Sequence, residues 1–537
     1  MKNLLGIIIL MLMVVFTSSC SEDFLEQTPS DRPSEDVLFA SLEGAKIHLI
    51  GIYSLQNYYY GEGTRGIIAP DVMGDDALVV SSRNYSRYIY FYNYSFTVNS
   101  SRPWNFWRYS YRTISNCNLF LEQIQNIEGD EAVKSDLMAQ AYALRAFSYF
   151  NLVRWFGETA YTDDPNGRGI IINNTVNNLD GYNLPRSTVG EVYAQIIADL
   201  NAAEQGAVGS DYKGFVDASG VAAIQARVYL TMGDWANASK YAKKAYEGFT
   251  LIDEATYLSG FSDVSSEDIW SQKFDDSDTN IYLSIPSFTY TSDDITYDED
   301  WNGPDGEPDG VIDYYDVYIG KRGAEFVFGY NSIRVTRELI DLFEDTDFRK
   351  KMFPINLDPA GNPIMLDPAN GIVSHARYTT ADGHLTTKWK SRTDLGTGDF
   401  SRIRASEMYL IEAEAEARLG NDGPAQAALL TIQQRADATV TSVPETGQAL
   451  IDKILLERRK ELFLEGHRFF DLKRLDMDLD RTASADDHWS DFTDIGLADP
   501  NIVPKNSVSQ RFCLPIPQDE IDSNEALTDQ DQNSAFR

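Results

Sequence analysis

The residues best spaced for chemistry lie in one acidic stretch, Asp298 to Asp316. Asp305-x-Glu307-x-Asp309-Gly310-x-Ile312-x-x-x-Asp316 has the spacing of a calcium loop. In such a loop oxygen ligands occupy positions one, three, five, seven, nine and twelve, and a glycine at six makes the sharp turn. The ligands would be Asp305, Glu307, Asp309, the carbonyl of Val311, Asp313 (directly or through water) and Asp316, with Ile312 at the apolar position. A second frame, Asp298-x-Asp300-x-Asn302-Gly303 ending on Asp309, competes for the same residues. Glu307 is unusual at the third position, Pro308 stiffens the turn, and Asp316 is shorter than the usual terminal Glu. A solvated acidic loop accounts for the same residues, so both readings stay open.

Catalytic patterns are weaker. Gly61, Gly63 and Gly66 match G-x-G-x-x-G, but a dinucleotide site needs a strand before the motif and a helix after it. Here a helix ends in Tyr58-Tyr59-Tyr60 and Pro70 blocks a long helix afterwards, so the motif reads as a flexible loop. His48, His375, His384, His467 and His488 form no H-x-x-x-H or cysteine–histidine metal pattern. There is no G-x-S-x-G elbow. Carboxylates are abundant, yet nothing singles out a glycosidase pair. Glu457, Arg458, Arg459, Glu461, Glu465, Arg468, Asp471 and Arg474 look like a catalytic cluster but read as an ion-pair ladder on one helix, with partners three or four apart. The expectation is a protein that is not an enzyme and requires no cofactor beyond a structural calcium.

Aromatic side chains carry the binding expectation. A sugar ring packs its C–H-rich face on a flat aromatic while its hydroxyls pair with Asp, Asn, Gln or Arg. In loop contexts the chain offers Tyr85, Tyr88, Tyr90, Tyr92, Tyr94, Tyr290, Tyr297, Trp301, Tyr314 and Tyr315. Trp301 is the best single candidate, a large ring in a polar Gly/Pro-rich insertion; Tyr297, Tyr290, Tyr88 and Tyr90 complete the proposed set. The stretch Tyr88 to Phe96 alternates weakly, as a strand would. Trp104, Trp107 and Tyr111 have helical spacing and read as core, as do Trp155 and Trp235.

These residues must be positioned by a chain of 537 residues with a formal charge of −36. An apolar fraction of 43% and a charged fraction of 24% exclude a disordered acidic tail and a polytopic membrane protein. The negative field makes a nucleic-acid groove a poor reading. Periodicity predicts helices over Asp36 to Tyr58, Trp104 to Ile127, Val133 to Phe156, Thr188 to Ala203, Ala218 to Met232 and Asp234 to Tyr246. Further helices follow over Arg404 to Leu419, Pro424 to Ala436 and Gly447 to Leu475. The scaffold thus occupies about 36–58, 104–156, 188–246 and 404–475. Ala226, Tyr229, Gly233, Trp235, Ala238 and Ala245 have spacings close to a tetratricopeptide repeat, and Ala413, Ala415, Ala417, Gly420, Ala425 and Ala428 make a looser copy. The fold class expected is mainly α: a tetratricopeptide-like scaffold with long loop-rich insertions and a few short strands. The insertions are Gly61 to Pro103, Asp163 to Pro185, Ser259 to Gly329, Pro354 to Ser401 and Asp476 to Arg511. Ligand loops are expected in 61–103, 259–329 and 354–401, because elaborated loops on a rigid scaffold are where binding usually lives.

Lys2 precedes an apolar run from Leu4 to Phe16, too short to span a bilayer and typical of a signal peptide. Thr17-Ser18-Ser19-Cys20 then resembles a bacterial lipoprotein signal, with residues 1–19 cleaved and Cys20 carrying the lipid. Thr17 stands where such signals usually have Leu, and a plain secretory signal is the alternative. Ser21-Glu22-Asp23 resembles the surface-export signal of Bacteroidetes lipoproteins. Cys117 and Cys513 then remain, which is no disulfide framework, and the sequence leaves their redox state open.

From Cys20 onward the chain resembles the SusD/RagB family of cell-surface nutrient-binding lipoproteins. The resemblance rests on Asp23-Phe24-Leu25-Glu26 with Pro29, Gly51-Ile52-Tyr53, the run from Ala143 to Arg154, and Ala226 to Leu230. It continues through Glu407 to Ala415, Glu457 to Leu462, Gly466 to Arg474 and Leu514 to Pro517. It implies one α-helical domain over 20–537, capture of an oligosaccharide, and delivery to a SusC-like TonB-dependent outer-membrane transporter. It also implies a location on the outer membrane, facing the cell exterior. A peptide ligand, or a helical-repeat scaffold that binds peptides or surface enzymes, is the alternative.

Overall fold

The computed structural model describes residues 34–79, 86–176, 183–210, 212–274, 283–289, 332–353, 383–384, 386–390, 398–481, 502–503 and 512–537. Many of its helices begin where a short polar side chain caps the first turn. The hydroxyl of Ser41 accepts from Gly44 N–H ahead of α2 (Leu42–Gln56), which follows a single turn, α1 (Glu35–Leu38). Next come α3 (Thr64–Val72), α4 (Ile89–Tyr92), α5 (Ser101–Gln123) and α6 (Glu131–Phe156), the last capped by Asp130. A reciprocal Thr188–Glu191 box starts α7 (Val189–Gly206). Asp217 and Asp234 cap α8 (Ala218–Met232) and α9 (Trp235–Tyr246). Between these two, Gly233 takes φ +73°, the left-handed helix stop that glycine adopts most readily.

Short helices α10 (Glu254–Leu258), α11 (Ile285–Thr289) and α12 (Arg337–Asp341) lie in the long excursion. The stack resumes with α13 (Ala405–Arg418), α14 (Asp422–Ala436), α15 (Gly447–Leu462) and α16 (Arg468–Arg474), and α17 (Gln518–Ser523) lies near the C-terminus. Among the described residues the strands form three two-stranded antiparallel ribbons. β1 (Ala77–Val79) pairs with β3 (Ile333–Val335), β2 (Asp268–Gln272) with β4 (Phe400–Arg404), and β5 (Leu479–Asp480) with β6 (Ile502–Val503).

Neighbouring helices stack in series: α2 on α5, α5 on α6, α6 on α7, α7 on α8, α8 on α9. α9 then packs directly on α13, and α13 on α14 and α15. The two repeat-like pairs, far apart in sequence, are therefore adjacent in space. Small residues permit the close approach: Ala238, Ala242, Ala245, Ala413 and Ala417 are buried between the helices. A repeat pair cannot bury its apolar face alone, which is why the series runs on. Among the described residues, no helix is long and apolar enough to cross a membrane. Cys117 and Cys513 are both buried and form no disulfide among the described residues.

Several expectations change. The first helix splits after Leu38, because Ser41 caps a new start. The predicted Gly447 to Leu475 helix breaks after Leu462, where Leu464 (φ +57°) and Gly466 (φ +85°) turn the chain. The stretch Tyr88 to Phe96 is not a strand: it forms the single turn α4, and Tyr94 turns out of it at φ +52°. The fourth concerns the charged residues of α15 and α16, which are not a ladder along one helix. They reach other elements. Arg459 Nε donates to Asp76 at 2.7 Å, Arg468 Nη2 to Asp75 at 2.7 Å, and Arg474 to both oxygens of Glu414 at 2.7 Å.

Glu461 accepts from Arg349, Arg404 and Arg435, each at 2.6 Å, and Glu465 accepts from Arg404 and Lys388. Glu267, Glu457 and Asp347 complete the network, and all of its members are buried or nearly so. Within the original set, among the described residues, Asp471–Arg474 is the pair three apart.

Candidate functional site

The site is assembled by the turn that follows α2. Asn57 caps that helix, and its main-chain carbonyl accepts from Gln272 Nε2 (2.9 Å) while its side-chain oxygen accepts from Arg402 Nη2 (2.8 Å). The β2–β4 ribbon thus clamps the turn. Tyr58 O accepts from the N–H groups of Gly61 and Gly63. A Cβ at Gly63 would overlap the carbonyl oxygen of Asn57, so the bend needs glycine for steric reasons. Gly63→Ala is expected to cost about 1–3 kcal/mol of stability, because it pushes on the carbonyl that binds Gln272; thermal melting measures it.

The sequence motif read as a flexible loop is therefore a buried, tightly hydrogen-bonded turn that runs into α3. Gly61, Glu62, Gly63, Thr64 and Arg65 are all buried, and α3 continues through Pro70 to Val72.

Across this turn the side chains divide. Tyr59 is buried, whereas Tyr58 and Tyr60 are half-exposed. Tyr109, on α5, packs its ring 4.9 Å from that of Tyr58 at 43°, and Tyr60 lies 5.6 Å from Tyr58 at 53°. Arg65 sits 4.7 Å from the Tyr60 ring and 4.9 Å from the Tyr59 ring, a cation–π arrangement. Arg102 lies 4.4 Å from the Tyr90 ring, and Arg112 5.5 Å from that of Tyr109. Burial, with the neighbouring positive charge of Arg65 second, lowers the pKa of Arg102. Burial and the adjoining phenol of Tyr109 raise that of Tyr58. Arg102 also donates to the carbonyls of Ser86 and Arg87, which ties α5 to the start of α4. The result is a surface of tilted tyrosine rings edged by guanidiniums: apolar faces for ring C–H groups, with forked donors beside them.

Beneath the patch, Glu62 points inward, accepting from Ser110 Oγ (2.8 Å) and Asn151 Nδ2 (2.9 Å). It lines a cavity of about 40 Å³ together with Arg154, Arg402 and His467. That volume holds water rather than a sugar. Burial raises the Glu62 carboxyl, lowers Arg154 to about 9 and lowers Arg402 to about 10, each guanidinium helped down by Arg227. His467 Nδ1 accepts from Arg458 Nη2 at 3.1 Å, and burial plus Arg458 hold its pKa well below the ordinary value. A histidine kept neutral in this way is a poor proton shuttle near pH 7. A larger groove of about 270 Å³ between α15 and α16 is lined by Leu455, Leu456 and Met477. Its arginines are already engaged, Arg459 by Asp76, Arg468 by Asp75 and Arg458 by Asp471.

Of the aromatic residues read from the sequence, Tyr90 reaches the patch and is 37% exposed. Tyr88 does not. It is fully buried, edge-on to Phe288 at 5.1 Å, because α4 turns it into the core, so it cannot be a ligand contact. Tyr92 and Tyr94 are buried as well. Trp301, Tyr297, Tyr290, Cys20 and the proposed calcium ligands Asp305, Glu307, Asp309, Val311, Asp313 and Asp316 lie outside the described residues. Trp107 and Trp155 are core, as expected. Tyr58, Tyr60 and Tyr109 were not foreseen. The available signal was a tyrosine triplet at a helix end immediately before two closely spaced glycines.

Residues 23–230, which include the whole patch, match a family model described as starch-binding and associating with the outer membrane, and residues 374–536 match the SusD family model. The chain belongs to the SusD family. A SusD-like protein of Formosa agariphila (P2) is 25% identical over 69% of this chain and 71% of its own length. Another from that organism (P25) is 21% identical over 99% of both. Among solved structures, a putative sugar binding protein of Bacteroides vulgatus superposes with a TM-score of 0.71 at 25% identity, covering 93% of this chain and 99% of its own. A laminarin binding SusD-like protein superposes with a TM-score of 0.63 at 22% identity, over 92% of this chain and 99% of its own. The scaffold is thus the helical, tetratricopeptide-like SusD fold.

Proposed function

We propose that this SusD-family chain is a non-catalytic glycan-binding protein that captures oligosaccharides at the outer-membrane surface and passes them to a SusC-like TonB-dependent transporter. In this reading Cys20 carries the lipid that tethers the chain, and the acidic body sits over the transporter as a lid. The observation that carries it is the Tyr58–Tyr60–Tyr109 surface with its arginine edge, held on a rigid turn, in a chain whose relatives include sugar- and laminarin-binding proteins. Tilted rings at a solvent-facing edge bind sugar faces weakly and reversibly, as handing on a ligand requires. The test is a glycan panel against the purified chain by calorimetry, with product analysis alongside. Binding without cleavage supports the reading; cleavage, or no binding to any glycan, refutes it.

Two further parts of the reading concern residues 290–331. Trp301, with Tyr297 and Tyr290, would extend the aromatic surface, and Trp301→Ala is expected to weaken glycan binding. The loop from Asp305 to Asp316 would hold a structural calcium. Calcium is expected to raise the melting temperature and chelator to lower it, and Asp309→Ala is expected to abolish that response. An identical melting response to calcium and chelator in both proteins counts against the site.

A further inference from the structure

From Ala77 to Leu121 the chain contains no aspartate or glutamate, although the whole carries 82 acidic residues. The same stretch holds five arginines, Arg83, Arg87, Arg102, Arg108 and Arg112. It supplies Tyr90 and Tyr109 to the aromatic patch. A local reversal of sign inside a body of charge −36 needs a physical reason.

Part of that reason is structural. Arg102 is occupied by the carbonyls of Ser86 and Arg87. Arg108 and Arg112 have no such employment. They stand one turn apart on α5, on either side of Tyr109, and both are exposed. Among the described residues neither meets a carboxylate. Like charges four apart on a helix repel by a few tenths of a kcal/mol, so the pair is slightly costly to the fold. Arg65, 3% exposed beneath Tyr59 and Tyr60, adds a third cation whose Nε and Nη1 have no acceptor among the described residues. A neutral sugar needs ring faces and a few hydrogen bonds; it does not need an acid-free, multiply cationic rim. Planar guanidiniums match the forked oxygens of carboxylate and sulfate. The net negative charge of the chain disfavours such groups over most of the rest of the molecule, which favours this patch.

We propose that the platform takes a glycan bearing anionic groups, carboxylate or sulfate, held by Arg108 and Arg112 while Tyr58, Tyr60 and Tyr109 carry the sugar faces. This rests on the glycan-binding reading above. The test titrates the full chain with three oligosaccharides of matched length: neutral laminarin oligosaccharides, oligogalacturonate for carboxylate, and carrageenan oligosaccharides for sulfate. At least one anionic ligand should bind tenfold or more tighter than the neutral one, with affinity falling as salt rises from 50 to 500 mM. The Arg108→Gln/Arg112→Gln double variant, altered on the surface alone, should bring that ligand down to the level of laminarin. Neutral binding equal to or tighter than both anionic ligands overturns the inference and leaves the glycan reading intact. So does anionic binding that the double variant does not change. Binding of none of the three overturns the inference, while the glycan reading stands or falls on the wider panel. The carboxylate and sulfate arms distinguish the two sources of charge.

Discussion

Arg404→Met should remove about 3–5 kcal/mol from the unfolding free energy. Arg404, like Arg349, is bonded to three carboxylates of the buried network: Glu267 and Glu461 through Nη1, at 2.7 and 2.6 Å, and both oxygens of Glu465. Its side chain is 2% exposed, so water cannot replace what the substitution removes. A buried pair is only modestly stabilising against an apolar substitute, but carboxylates stranded by the loss of their cation are very costly. Arg404→Lys keeps the charge without the fork and should lose less than half as much. Denaturant unfolding at pH 7 measures both.

The pH dependence follows from the same groups. Burial pushes the Glu461 carboxyl up, but Arg435, Arg404 and Arg349 overcome this and hold it well below the ordinary value of 4.5. Glu465 is likewise lowered, by Arg404 and Lys388 against burial. A depressed folded pKa gives stability that is fully present above about pH 4.5 and is lost as pH falls through the folded value. The Arg404→Met protein should therefore unfold at a higher pH than the parent on acid titration. An unchanged acid midpoint would show that the network is not what fails in acid.

The second large effect concerns binding. Tyr58→Ala/Tyr109→Ala removes two rings that face each other at 4.9 Å, and should weaken glycan binding at least tenfold, about 1.4 kcal/mol or more. Both side chains are half-exposed, so the fold should survive with a small loss of melting temperature. Tyr88→Phe serves as the contrast: Tyr88 is buried against Phe288, and its replacement should leave affinity unchanged. Calorimetry with the best ligand from the panel settles the comparison. Equal affinities for parent and double variant would move the site away from this patch.

The repeat scaffold was legible because its signals are local. Alanines at repeat spacing, a glycine at the end of α8 and polar caps announce helices without knowledge of the rest of the fold. The charged residues of α15 and α16 show where that stops. Spacing alone offers each of them a partner on the same helix, and it cannot reveal that Glu461 turns inward to three arginines from three other segments. Tyr88 misled for a related reason. A tyrosine in a weakly alternating stretch reads as a strand position with one face exposed until a single helical turn aims it inward. The patch itself was hidden because it joins the end of α2 to the middle of α5, and only the bend at Gly63, clamped by Gln272 and Arg402, makes those residues neighbours.

The direct packing of α9 on α13 holds together the two ends of the excursion between Tyr246 and Ala405, so the parts of it outside β2, β4 and the buried ion network can change without opening the stack. Loop-closure entropy grows only with the logarithm of length, so extending that connection by a quarter costs about 0.2 kcal/mol. Natural variation can therefore lengthen or shorten those parts while the helical chassis beneath stays the same. Such segments behave as interchangeable trim, and descendants of one such gene could gain or lose them without relearning how to fold.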